Sequence, residues 1–434
     1  MSLVIKGGRV IDPQNGVDGV MDLRIDKGRI GGTGKKLDGD QVIDGRGLWV
    51  VPGLVDMHVH LREPGYEYKE TIETGTRAAA AGGFTAVACM PNTDPVNDNG
   101  SVTDFILAQA KKAGLARVYP VGAITRGEAG ESLAEIGEMR ERGAVAVSDD
   151  GVPVMSSALM RRAMEYAKTF GLPVISHSED LVLRGDGVMH EGEYSTCLGL
   201  QGIPAAAEEC MVDRDIQLAE LTGAALHIAH VSAAGSVERV RRAKEKGLRV
   251  TAEVTPHHLT LTDASLMEYD TNLKVNPPLR TEADRAALIA GLADGTIDAV
   301  ASDHAPHNIA EKEVEFDQAA FGLIGLETSV PLLLRLVHQR VLTAGQLVDR
   351  MSAAPCRILG IQGGSLSIGV PADVALIDPE FAFTVDAKDF HSRSANSPFQ
   401  GWQLQGKAVC TLLGGKRVYR DKRWQKESGR HSKK

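Results

Sequence analysis

The chain has 434 residues, of which 43% are hydrophobic and 24% charged. That is enough for a large buried core and, by length, for two or three domains or one long barrel with an accessory module. A net charge of −9 provides no basic face for phosphates and excludes a nucleic-acid binder. Arg161-Arg162 and Arg239 to Arg242 fall on predicted helices and read as solvated faces.

Five cysteines (Cys89, Cys197, Cys210, Cys356 and Cys410) form no C-x-x-C pair and read as reduced thiols. The N-terminus has no basic region ahead of a long apolar stretch, and no run reaches bilayer length, so a soluble cytoplasmic protein is expected.

Residues 1–53 read as short strands at 3–6, 9–11, 22–25, 41–44 and 48–51, broken by glycine pairs such as Gly7-Gly8 and Gly31-Gly32. The other end, 355–434, repeats this grammar at 372–377, 382–385, 407–412 and 416–419. It closes on a polar, basic tail from Arg420 that is expected to fray. Two strand-rich ends around a helical middle predict one small β-sandwich domain assembled from both termini.

Between them, residues 54–354 alternate strand and helix. Strands are predicted at 54–59, 84–90, 117–122, 144–148, 173–177, 225–230, 249–254 and 298–302. Eight such strands separated by helical stretches, several ending in glycine (Gly83, Gly143, Gly171, Gly247), predict a closed (β/α)8 TIM-like barrel. Segments 255–280 and 303–325 are longer than ordinary connections, and long loops on a compact barrel are usually functional.

The first barrel strand carries His58 and His60. Residues i and i+2 share a strand face, so both imidazoles point one way, roughly 6.6 Å apart along the strand, a spacing suited to one divalent metal. Alone, His-x-His fits two surface histidines equally well. The other strand ends change that reading. Strand four ends in Ser148-Asp149-Asp150-Gly151, strand five in Ser176-His177-Ser178-Glu179, strand six in Ala229-His230-Val231-Ser232 and strand eight in Ser302-Asp303-His304-Ala305-Pro306-His307. Imidazole or carboxylate at five strand ends converges on the C-terminal mouth, where α/β barrels hold their chemistry.

With these motifs the sequence resembles the amidohydrolase superfamily, specifically the type I (class I) dihydroorotases. The resemblance rests on Asp56–Gly65 (DMHVHLREPG), ACMPNTDP at 88–95, SDDG at 148–151, ISHSED at 175–180, the long run 207–232, EVTPHHL at 253–259, KVNPPLR at 274–280 and SDHAPH at 302–307. It implies reversible cyclisation of N-carbamoyl-L-aspartate to dihydroorotate, a step of pyrimidine biosynthesis.

It also assigns His58, His60 and Asp303 to one zinc and His177 and His230 to a second, with Asp150 bridging, so one or two zinc ions per chain are expected. Many relatives bridge with a carboxylated lysine. Residues 144–150 contain none, and the type I group is known for aspartate there. Asp149 is the competing bridge, and strand alternation allows only one of the two to face the metals. Zinc would polarise the carbonyl and lower the pKa of bound water to about 7, with Asp303 as general base and then acid.

Substrate contacts implied by the resemblance are His60, Arg62, Asn92, Asn276, His307 and the Phe321-Gly322 backbone. Arg62 can grip a carboxylate bidentately; a salt bridge to a neighbouring loop is its bland alternative. His257, His258 and His304 read as supporting or structural groups, and His190, His227, His338, His391 and His431 as incidental. The rival readings are another cyclic amidase, allantoinase- or hydantoinase-like, and a non-catalytic barrel scaffolding aspartate transcarbamoylase. Homo-oligomerisation and association with that enzyme are compatible with catalysis.

Overall fold

The computed structural model describes residues 2–427. Continuous runs of small and β-branched apolar residues form the eight barrel strands: Leu54–Val59, Phe84–Cys89, Arg117–Gly122, Ala146–Val147, Val174–Ser176, Leu226–Ile228, Val250–Val254 and Ala299–Val300. They pair side by side in chain order. A parallel bridge between Val59 and His304, with the His60 amide donating to the His304 carbonyl at 2.8 Å, joins the last strand to the first.

The intervening helices are Ile72–Gly82, Gly100–Ala113, Ile136–Arg142, Ser157–Thr169, Ala205–Thr222, Ala234–Glu245 and Glu282–Asp294, with Ser329–His338 following the last strand. This is the expected (β/α)8 barrel. Strands four and eight are shorter than expected, and beyond the barrel strands carboxylates take backbone amides near the mouth. Ser302 N donates to both Asp56 carboxylate oxygens at 3.1 Å, and Ile124 N to Asp149 at 2.7 Å.

Two apolar layers hold the barrel. Its interior is filled by Met57, Ala88, Met90, Val121, Ile175 and Ala299 among others, while a larger cluster seals strands against helices. The helix Ala354–Leu359 closes the N-terminal end, with Cys356 against Val55 and Ala86 and Leu359 in the interior cluster; it straddles the boundary expected at residue 354.

The terminal strands Ser2–Asp12, Val17–Asp26, Arg29–Gly34, Gln41–Asp44, Trp49–Pro52, Val374–Thr384, Gln403–Leu413 and Lys416–Arg420 form one eight-stranded mixed sheet, the β-sandwich expected from both ends. Alternation gives it two roles. Val50, Val374, Leu376 and Val409 enter its own core, while Trp49, Val51, Ala375, Ile377 and Ala408 join the barrel's outer cluster. The glycine pairs bend strands without ending them: the register shifts between Ile5 and Gly8, and Gly31-Gly32 lies inside a strand.

The tail does not fray at Arg420. Lys422–Glu427 is helical, and Trp424 is buried with its indole N–H on Asp378 at 2.7 Å. Residues 428–434, including His431, lie outside the described residues. Among the described residues no helix is long and apolar enough to cross a membrane.

Gly53 links Trp49–Pro52 to the first barrel strand, its amide bonded to Asp373 O (2.8 Å) and its carbonyl to the Ser352 hydroxyl (2.7 Å). A Cβ there would lie 2.0 Å from Thr85 Oγ1 and 2.4 Å from its Cγ2. Gly53→Ala should therefore cost about 1–3 kcal/mol in urea unfolding, and Thr85→Ala on the same chain should recover part of that loss. Strict additivity of the two substitutions would show that this approach is not what the glycine serves.

Candidate metal centre

Four imidazoles and two carboxylates from five strand ends meet at the mouth. Asp150 Oδ1 has His58 Nε2 at 3.3 Å and both His177 Nδ1 and His230 Nε2 at 3.5 Å, while its Oδ2 lies 3.4 Å from His60 Nε2. Asp303 Oδ1 lies 3.2 Å from His60 Nε2 and 3.8 Å from His58 Nε2. Two overlapping triads result, His58/His60/Asp150 and Asp150/His177/His230, each with ligand atoms within 4.8 Å of one another. Asp149 turns away, accepting from the Ile124 and Thr125 amides (2.7 and 3.0 Å) and the Thr125 hydroxyl.

The imidazoles are oriented from behind. His58 Nδ1 meets Glu253 Oε1 at 2.7 Å and His60 Nδ1 meets Asn92 Oδ1 at 2.8 Å, so the network assigns the protons there and leaves each Nε2 lone pair facing the mouth. On His177 the roles reverse: Nε2 lies 3.7 Å from Glu179, and Nδ1 faces His230 Nε2 at 3.0 Å.

His58 Nε2 and Asp150 Oδ1 are both buried without a hydrogen bond although they face each other. Several electron-pair donors turned on one small volume, most of them fixed by an outer partner, are what a divalent cation requires. Burial opposes ionisation of Asp150, yet the imidazoles of His58, His177 and His230 ranged around it outweigh that cost and hold the carboxyl well below its usual range. Asp303 is likewise held low, burial being outweighed by the His60, His58 and His230 imidazoles beside it. Arg62, His230 and Asp303 have positive φ (63°, 30° and 47°), backbone strain of the kind that gathers at functional sites.

Beyond the first and eighth strand ends, Arg62 Nε donates to Pro306 O (3.2 Å) and Nη2 to His307 Nε2 (3.3 Å); among the described residues it has no carboxylate partner, so the neighbouring-loop salt bridge is not formed. Burial, with Arg62, Lys69 and Lys312 nearby, pushes His307 down to about 2, leaving a neutral ring. Asn92 Nδ2 donates to the Asp150 backbone carbonyl at 3.4 Å, so that amide joins His60 to the end of strand four. Asn276 Nδ2 donates to Glu179 (3.0 Å), while its buried Oδ1 has no hydrogen bond. Phe321 lies under Lys274, 4.6 Å from nitrogen to ring centre. Gly322 is already engaged, its amide on Lys274 O (2.8 Å) and its carbonyl receiving Lys312 Nζ (3.0 Å).

His258 sits between Thr255 and the Pro277 carbonyl, and His304 between Glu70 and the Gly325 amide, both as supports. The incidental reading of His227 needs correction: fully buried, it lies 3.2 Å from Glu253, behind His58. Sequence reasoning also passed over Glu253 and Asp56 themselves. Asp56 ties the His58 amide (3.1 Å) and Ser302 to one carboxylate. The available signal was an acid inside an apolar strand, which burial rarely permits without a partner.

The Dihydro-orotase-like family matches residues 47–236. A dihydroorotase of Geobacter metallireducens is 56% identical over 97% of this chain and 100% of its own length, and one of Pelobacter propionicus is 55% identical over the same shares. Among solved structures, the L-hydantoinase (dihydropyrimidinase) of Arthrobacter aurescens superposes with a TM-score of 0.85 at 26% identity, covering 96% of each chain. With more than half its residues shared along nearly its whole length, the chain belongs to the dihydroorotase family.

Proposed function

We propose that this chain is a zinc-dependent dihydroorotase that interconverts N-carbamoyl-L-aspartate and dihydroorotate. Family membership supplies the reaction class, hydrolysis of a cyclic amide C–N bond. The observation that carries the substrate is Arg62, a guanidinium on the rim facing a carboxylate-lined metal centre with no anion of its own. A substrate bearing a carboxylate beside its scissile amide matches both halves.

His58, His60 and Asp303 would hold one zinc, His177 and His230 a second, and Asp150 would be shared. Zinc there supplies Lewis acidity, polarising the ring carbonyl and making water nucleophilic near neutral pH. Asp303, ionised at neutral pH, takes the proton of the attacking water and passes it to the departing ring nitrogen; in cyclisation the same carboxylate runs the transfer backwards. Arg62 binds the substrate carboxylate in bidentate fashion. Asn92, Asn276, neutral His307 and the Phe321-Gly322 backbone line the ring. A hydantoinase-like activity has less support, because residues 144–150 offer no lysine to carboxylate.

Purified protein should contain at least one zinc per chain, and chelation should abolish dihydroorotate hydrolysis until zinc is restored; full activity in metal-free, folded protein would overturn the proposal. Arg62→Ala should keep its zinc but lose about 10–150-fold in kcat/KM for dihydroorotate, the range of a charged hydrogen bond. The neutral methyl ester should lose far less, and equal losses would make Arg62 structural. Asp150→Ala should lose metal and turnover together. Asp149→Ala should keep both while unfolding about 1–3 kcal/mol more easily, because it strands the Ile124 and Thr125 amides; metal loss confined to Asp149→Ala would reverse the two roles.

A further inference from the structure

The connection between Val374–Thr384 and Gln403–Leu413 belongs by sequence to the terminal sandwich, yet residues 391–396 cross to the barrel mouth. Glu327 accepts from the His391 amide at 2.6 Å and its Nδ1 at 3.0 Å. Glu70 accepts from the Arg393 amide at 3.0 Å and from the Ser392 hydroxyl, and the Ser394 hydroxyl donates to Lys69 O at 2.7 Å. The crossing ends at Asn396, which is buried.

Asn396 Oδ1 accepts from the His307 amide at 3.1 Å, and Nδ2 donates at 3.1 Å to both Ala305 O and Gly322 O. Its backbone carbonyl receives Ile324 N at 3.0 Å. An amide facing one donor and two acceptors can sit only one way round. Every group it grips is on the substrate rim. His307 in turn meets Arg62 Nη2, and the neighbouring Pro306 carbonyl receives Arg62 Nε. None of these hydrogen bonds involves a metal-facing imidazole or carboxylate.

We propose that Asn396 is a positioning residue for recognition of the substrate carboxylate. It locks the 305–307 turn against Gly322 and, through that turn, aims Arg62. The terminal sandwich thereby contributes to substrate selection by a barrel whose metal groups it does not touch. The inference rests on the reading of Arg62 as the carboxylate clamp. Misplacing such a clamp by a fraction of an ångström weakens binding while the chemistry stays intact.

The test uses the zinc-loaded full chain. Asn396→Ala should raise KM for dihydroorotate about tenfold, equivalent to about 1.4 kcal/mol, with kcat within about threefold and zinc content unchanged. KM for the methyl ester should move little. Ser397→Ala, a buried neighbour whose hydroxyl, among the described residues, accepts only from its own segment at Phe399 N, should leave both KM values as they are. If Asn396→Ala does not fold, Asn396→Ser is judged by the same comparison. An unchanged KM, equal rises for acid and ester, or the same rise in Ser397→Ala would overturn the inference while leaving the dihydroorotase reading in place. Wild-type enzyme inert toward dihydroorotate would overturn both.

Discussion

One buried carboxylate organises this molecule. Asp150 stands among four imidazoles from three other strand ends, with three of their nitrogens within 3.5 Å of Oδ1. Ions removed from water must recover their hydration from fixed partners. Here three of the rings that face Asp150 have a polar group behind them: Glu253 for His58, Asn92 for His60, Glu179 for His177. Glu253 is itself held at about 2 against burial by hydrogen bonds from His227 and His58. The centre is therefore a stack of charge layers, and a cation at its focus completes the balance that side chains alone leave open.

The barrel is shaped to carry that stack. Much of its interior is alanine and methionine, small or adaptable volume beneath a polar mouth. Asp56 reaches across the closing seam to Ser302, so the first and eighth strands are joined by a carboxylate as well as by the bridge at Val59 and His304. The same seam carries His58, His60 and Asp303, and tension at the mouth is visible in the left-handed backbone of Arg62, His230 and Asp303. Closing the barrel and assembling the candidate metal centre are one structural event.

The two rims of the mouth are built differently. The metal rim stands on strand ends and on carboxylates inside the barrel. The candidate substrate rim stands on long loops whose carbonyls are gathered by buried lysines: Lys274 takes Phe316 O and Asp317 O, and Lys312 takes Ala320 O and Gly322 O. Burial, opposed by Asp317 and reinforced by Arg184, brings Lys274 down to about 8; burial with Lys274 nearby brings Lys312 to about 7. A lysine spent on carbonyls rather than on a carboxylate holds a loop and keeps positive potential beside it, suited to an anionic ligand. A shared barrel with hydantoinase structures is compatible with different chemistry, because a fold does not fix the site it carries.

Hydrophobic periodicity alone determined the eight strands, their helices and the two-ended sandwich, because an apolar run of strand length has few other ways to bury itself. It also placed His58, His60, His177, His230, Asp150 and Asp303 at strand ends, since a parallel barrel sends every strand end to one mouth. The resemblance favoured Asp150 over Asp149, but the physical reason lies in side-chain direction, set by the amides of Ile124 and Thr125 on a neighbouring strand end. The supports were equally illegible. Glu253 finds His58 from 195 residues away, and Asn396 reaches His307 from 89. Such pairings arise from barrel closure and from a loop crossing between domains, contacts that local sequence does not encode. Trp424 likewise ordered a tail whose composition reads as solvated, because one buried indole outweighs its charged neighbours.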